Sequence, residues 1–556
     1  MKKQYRIFFI ASLLAMAVSC YKDMGNYDYT TEPTAVTIDE AMRYNKIDPS
    51  KEPFVFKLGE KIVINAKYTI NDPMLKPEYL NIEWFFADEL VGTGETLTLE
   101  NLPSGRYTGL LSITDVRYDQ KYVLEFNFQV EGAYSNGWAI VSEKGNTSVL
   151  SYLEINPNTG EYIFNTDVYG KSNEGALLPN GIRSASYHMI GSYPQVFALS
   201  LALPGDGAMD IDCNNMTEIG NVNKEFTSPM PGLEFKDVAY MTEMNGGTVY
   251  ALTTDGKLYT RKESTYQGNV VPHAGIYPTV PFITADGYEI SHWVNTAKVS
   301  VMMTSIEHLI AYDKKNARCV ELKGNKMYPF SQSSYINYPE PNRGGPGFDG
   351  ENYYNDIVFP DPYDLSDYEV VAMYGVGLDT DFLFATGALN ICMILRKDGK
   401  DYFYSFTFYD SWGTVDVDLN LFFPIPSEIN LDAEKMLSFD VLGGSDSFLY
   451  FTANGNKDLY FINVVNGTMK KIYTSSSEIT GIGLGEVQNI YAGLGMGDYS
   501  AYYQSLVIGT VDGNVKVVRM DNSARANGIS QVLYETNPDV GHLKYIRFMG
   551  NSQISF

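Results

Sequence analysis

The chain has little of what most catalytic and redox centres are made from. Its 556 residues include four cysteines and five histidines. Cys20, Cys213, Cys319 and Cys392 contain no CxxC pair, so neither a dithiol redox centre nor a thiolate metal site is indicated. If Cys20 is set aside, the other three can form one disulfide at most, and none is required. His188, His273, His292, His308 and His542 fall at no metal-ligand spacing, and HExxH is missing. A GxSxG elbow, a GxxxxGK[ST] loop and a Rossmann glycine pattern are also missing, which argues against an α/β-hydrolase and against nucleotide chemistry. Cations are scarce: 41 Lys and Arg stand against 67 Asp and Glu, a net charge of -26. Such a chain repels phosphate backbones, so nucleic acid is not an expected partner. No cofactor and no metal are expected.

Turn-punctuated alternation is plentiful. In TVYALTTDGKLYT (Thr248–Thr260) two runs of alternating apolar and polar residues flank Asp255-Gly256, a strong local hairpin signal because glycine accepts positive φ without steric cost. Related stretches begin at Ala139, Val196, His308, Cys392, Leu449 and Leu506, making seven copies. Their turn residues Gly145, Gly205, Gly256, Asn316, Gly399, Gly455 and Gly513 are separated by about 60, 51, 60, 83, 56 and 58 residues, a repeat period. One hairpin is marginal in water, and sheets arranged radially bury one another's faces. The expected fold is therefore all-β, with a β-propeller over residues 133–556, seven-bladed rather than six or eight. HLKYIRF (His542–Phe548) supplies one further strand after the seventh hairpin, suited to closing the ring on an early blade.

The start reads as an export leader. MKKQYR is basic, and IFFIASLLAMAV is too short to cross a bilayer but suits a signal segment. The run Ala17-Val18-Ser19-Cys20 resembles a bacterial lipoprotein box, which makes residues 1–19 a signal peptide and Cys20 the lipidated residue. Losing Lys2, Lys3 and Arg6 with the leader takes the charge to -29. Several acyl chains together would anchor the protein durably, as a single chain does not.

Residues 20–132 alternate at FVFKLGEKIVINAKY, YLNIEWFF, TLTLENL and YTGLLSITD…YVLEFNFQV, the pitch of an immunoglobulin-type sandwich. Trp84 falls where such folds place a core tryptophan, and Gly105-Arg106-Tyr107 with Leu110–Asp115 resembles the corner of PKD modules. The run Cys20, Tyr21, Asp23, Gly25, Asn26, Tyr27, Asp28, Tyr29 resembles the mature start of the PKD-like lipoproteins of Bacteroidetes. That resemblance implies an N-terminal PKD/immunoglobulin-like module before a long β-rich region. It also implies an outer-membrane address beside a TonB-dependent importer and its lipoprotein lid.

Between the fourth and fifth hairpins lies an insert at about 324–368, rich in Pro, Gly, Tyr and Asp. Tyr335, Tyr338, Tyr353 and Tyr354 are the residue type that builds partner or sugar contacts. Asp349, Glu351, Asp356, Asp361, Asp364 and Asp367 are hard oxygen donors, although their spacing matches no EF-hand. The expected role is non-catalytic: an outward-facing lipoprotein, with the periplasmic face as the alternative, that serves uptake of a glycan or peptide. The competing role is a polysaccharide hydrolase or lyase drawing on Asp379/Asp381, Asp416/Asp418 or Asp210/Asp212.

Overall fold

The computed structural model describes residues 35–550 with breaks, the longer ones being 43–53, 295–307, 338–357, 378–388, 432–447 and 485–504. The chain divides into two compact units, Met1–Val130 and Glu131–Phe556. Among the described residues no helix is long and apolar enough to cross a membrane.

The first unit is a β-sandwich. Its strands are β1 (Val36–Ile38), β2 (Phe54–Lys57), β3 (Ile62–Asn65), β4 (Tyr68–Ile70), β5 (Leu80–Phe86), β6 (Glu89–Thr93), β7 (Thr96–Leu99), β8 (Gly105–Asp115) and β9 (Gln120–Glu131). One sheet runs β2-β9-β8-β5-β6, and the pairs β1-β4 and β3-β7 face it. Strict alternation decides which residues enter the core: in β3, Ile62 and Ile64 are buried while Val63 and Asn65 face water. They meet Leu97, Leu111, Ile113 and Phe126 across the layers. Trp84 takes the expected core position, wholly buried. Its Nε1 donates to the Gly94 carbonyl at 2.8 Å, and its ring stands edge-on to Phe126. Tyr107 lies within β8, stacked on Phe128 at 5.1 Å.

Among the described residues the second unit is a closed ring of seven blades, with one further two-stranded sheet, Ser264–Tyr266 with Asn269–Val271, following blade 3 in the chain. Each expected hairpin forms two neighbouring strands of one sheet. Blade 1 joins Asn136–Lys144, Thr147–Ile155 and Tyr162–Asn165; blade 2 runs Ser184–Ile190, Val196–Ala202, Ala208–Asp212, Glu218–Asn221. Blade 3 has Phe235–Met241, Thr248–Thr253 and Leu258–Lys262, and blade 4 has Ile290–Trp293, His308–Asp313, Arg318–Lys323 and Lys326–Pro329. Blade 5 is built on Glu369–Gly377, Leu389–Lys397, Lys400–Ser411 and Thr414–Pro424. Blade 6 carries Phe448–Ala453, Asp458–Asn463 and Met469–Thr474; blade 7 carries Ile479–Leu484, Ser505–Thr510, Val515–Arg519 and Val532–Thr536.

The ring is established by where the apolar side chains go. Seven separate cores each draw on two successive blades, and the last joins Val507, Val515 and Val517 of blade 7 to Trp138, Ile140 and Leu153 of blade 1. The terminal strand His542–Gly550 closes the circle by pairing antiparallel with Asn136–Lys144, Trp138 opposite Phe548. Blade 1 is thus assembled from both ends of the unit, as the spare strand in the sequence suggested.

The turns obey local chemistry. At Thr253–Lys257 the glycine alone has positive φ (76°), and Thr253 Oγ1 accepts from Lys257 N while donating to Asp255 at 2.5 Å. Thr510–Asn514 repeats the arrangement around Gly513. At Asp398-Gly399 both residues are left-handed (φ 53° and 72°), the two-residue turn that matches strand twist.

Candidate functional site

The inner wall of the ring is formed where Ser184–Ile190 lies beside both Phe235–Met241 and the closing strand His542–Gly550, Ile290–Trp293 beside Glu369–Gly377, and Ile479–Leu484 beside the closing strand. On that wall the polar side chains converge on Asp237 of blade 3. One carboxylate oxygen accepts from Ser184 Oγ (3.1 Å) and Ser186 Oγ (2.9 Å) of blade 2, and the other from Trp293 Nε1 (2.9 Å) of blade 4. The stitching continues in both directions. Tyr545 hydroxyl and Arg547 Nε of the closing strand donate to the Arg183 and Ala185 carbonyls, each at 2.6 Å. Lys236 Nζ donates to the Ser291 carbonyl at 2.5 Å. His292 reaches the Val371 backbone of blade 5. Burial above all, then the nearby charges of Lys236 and Lys314, lowers the His292 pKa to about 4, so its ring is neutral near pH 7. Burial likewise raises the pKa of Tyr374, with the Arg547 charge acting in the opposite sense.

A second, deeper constellation joins blades 2 and 3. Asp210, fully buried, accepts from the Ser200 and Tyr240 hydroxyls and pairs in charge with His273, whose Nε2 lies 3.2 Å away. The other ring nitrogen of His273 binds Glu225, which also accepts from Arg261 Nε at 2.6 Å. Arg261 Nη1 lies 2.8 Å from Glu263, and its guanidinium covers the Tyr277 ring at 5.3 Å. Burial by itself would lower the His273 pKa, but its hydrogen bonds to Asp210 and Glu225 outweigh that and push it up to about 10. Burial works to raise the Asp210 pKa and is overcome by His273, Ser200 and Tyr240, so the carboxyl lies below its ordinary range. Glu263 moves up because burial dominates. His273 itself has positive φ (59°) and packs on Gly220, where any side chain would collide with the imidazole.

These arrangements bear on the sequence-derived candidates. Asp210 is taken up in the network with His273, and Asp212 accepts from Asn214 N at 2.7 Å. The pair therefore does not stand free as two carboxylates across a channel. Asp379 and Asp381 lie outside the described residues, as does the side chain of Asp416. Tyr335 belongs to a three-residue strand, Tyr335–Asn337, parallel to Thr414–Pro424, while Cys20, Tyr338, Tyr353 and Tyr354 lie outside the described residues, as do Asp349, Glu351 and Asp356. The far arm of the insert is packed: Phe359 and Leu365 enter the core between blades 4 and 5, and the Pro362 carbonyl accepts from Cys319 N at 2.7 Å. Its acids have local partners, with Asp361 accepting from Tyr363, Asp364 from Ser366 and Asp367 from Lys397. Among the described residues no group of three potential ligands could hold a metal.

The fold thus defines the class: a seven-bladed β-propeller preceded by an immunoglobulin-like sandwich. Residues 20–180 match the model of the PKD-like family. Similar solved structures include a quinonprotein alcohol dehydrogenase-like protein from Bacteroides thetaiotaomicron, 13% identical over 90% of this chain and 97% of that one, TM-score 0.37. The WD40 domain of SCAP from fission yeast is 8% identical over 75% and 93%, TM-score 0.33. An ACO variant from Synechocystis is 10% identical over 74% and 92%, TM-score 0.38. These likenesses say nothing about activity. No curated protein matches the chain.

Proposed function

We propose that the protein is a non-catalytic binding or accessory component of an outer-membrane nutrient uptake system. In this reading it is tethered through Cys20 and presents its ring to a glycan, a peptide or an importer with its lipoprotein lid. The observation that carries the reading is the inner wall itself: Asp237, Arg547, Tyr545 and Lys236 are engaged in hydrogen bonds that staple one blade to the next. Groups fixed in this way make a rigid polar platform, and rigid platforms bind at low entropic cost. The leader, the resemblance of the mature start and the PKD-like match support the cell-envelope setting.

The test has two arms. The mature protein is incubated with panels of glycans and peptides while new reducing ends or amines are followed, and Cys20-anchored protein is purified from native membranes. The proposal expects no turnover and co-purification of a β-barrel importer with its lid. Turnover abolished by substitution of a single carboxylate would replace it with the hydrolase or lyase reading.

A further inference from the structure

The sandwich carries an apolar tip that the ring does not explain. Met74, Val116 and Tyr118 are 75%, 57% and 74% exposed, although their backbone amides are held by Asp72, Tyr79 and Asp115. They are gathered around Arg117, whose Nη1 donates to the Met74 carbonyl at 2.9 Å and whose guanidinium lies 5.2 Å from the Tyr118 ring and 5.5 Å from that of Tyr79. Asp72 and Asp115 hold the guanidinium from beneath, at 3.0 and 2.8 Å, so this cation is fixed and nearly neutralised. Pro73 and Pro77 stiffen the same loop.

The chain enters the module at this end. The Ala35 carbonyl, on the first described residue, accepts from the backbone of Asn71 and Asp72, the residues leading into the tip. Only Tyr21–Thr34 separate Ala35 from Cys20, a stretch that even fully extended reaches about 50 Å. Charge does not oppose contact with a bilayer. The two tip segments, 71–79 and 115–121, hold three cations against four acids in a chain that carries -26 overall. Tyrosine beside exposed aliphatic groups and an arginine stem is the composition that settles at the level of lipid headgroups.

We propose that Met74, Val116 and Tyr118 dock on the surface of the bilayer in which Cys20 is anchored, so that the lipid and the tip together set how the module stands on the membrane. The inference rests on the reading of Cys20 as the lipidated residue, and the test separates the two. Mature protein is coupled through Cys20 to maleimide lipid in phosphatidylethanolamine–phosphatidylglycerol vesicles; Cys213, Cys319 and Cys392 are buried and do not compete. A Tyr118→Trp variant reports contact through quenching by brominated lipid, measured as the difference from the unsubstituted chain. Leu90→Trp, exposed in β6 where that strand pairs with Phe85 at the far end of β5, is the control. The proposal expects at least twofold quenching of the added emission in Tyr118→Trp, none in Leu90→Trp, and its loss when Met74→Glu and Val116→Glu are added. Equal quenching at both positions, or none at Tyr118→Trp in fully coupled vesicles, overturns the docking. Mass spectrometry of the N-terminal peptide from cells decides lipidation by itself, and an unmodified Cys20 there overturns the anchor alone.

Discussion

At the scale of single residues, the interior of the ring is defined by ionised groups that can exist there only because each has a partner. Arg261 is completely buried between Glu225 and Glu263. Replacing it with methionine strands Glu263 and leaves Glu225 with His273 alone, and removal of one partner from such a buried pair costs about 3–5 kcal/mol. Urea unfolding of Arg261→Met at pH 7 is expected to show a loss of that size, whereas a loss below about 1 kcal/mol would mean that the network is solvated. The pH dependence has a definite sign. His273 carries a native pKa raised to about 10, so its contribution is complete below its unfolded value near 6.5 and is lost as the pH rises through 10. Asp210, lowered, contributes above its ordinary value near 3.8 and loses that contribution as the pH falls through its native one. The destabilisation caused by His273→Gln should therefore shrink between pH 7 and pH 10.5 in urea midpoints. His292 acts in the opposite sense, costing stability as the pH falls from about 6.5 toward 4.

At the scale of elements, the seven hairpins were legible because a turn and its two flanking runs are neighbours in sequence. Thr253-Thr254-Asp255-Gly256-Lys257 states its own geometry. The first strands were less legible: Ser184–Ile190 and Phe235–Met241 are followed by turn residues, Gly191-Ser192-Tyr193-Pro194 and Asn245-Gly246-Gly247, but a turn signal does not say which strand lies innermost, and that role appears only when they stand side by side. Nor could spacing reveal that Asp210 meets His273, or that Asp237 meets Trp293, since each pair joins different strands of a folded ring. His273 read as an unpaired histidine because its partners come from elsewhere in the chain. Residue type alone points to the four tyrosines of the insert, and type does not fix position. Packing at this scale gives two further expectations. A Cβ at Gly483 would overlap Ile546 of the closing strand, so Gly483→Ala should cost about 1–3 kcal/mol by overpacking, read from the thermal transition of the ring. Trp84→Ala should cost about 3–5 kcal/mol in the sandwich and leave the ring transition in place.

At the scale of the whole molecule, no blade is a domain. Each core is shared by two neighbours, and blade 1 is complete only when residues 542–550 return to residues 136–144. The ring should therefore fold as one cooperative unit whose last step brings distant parts of the sequence together, with the loop-closure cost that this implies. The measurement that tests this most directly is calorimetry of the mature chain beside the same chain ended at Gly541. The account predicts that the truncated chain keeps the transition of the sandwich and loses the cooperative transition of the ring. A truncated ring that melts sharply at the temperature of the full chain would contradict it.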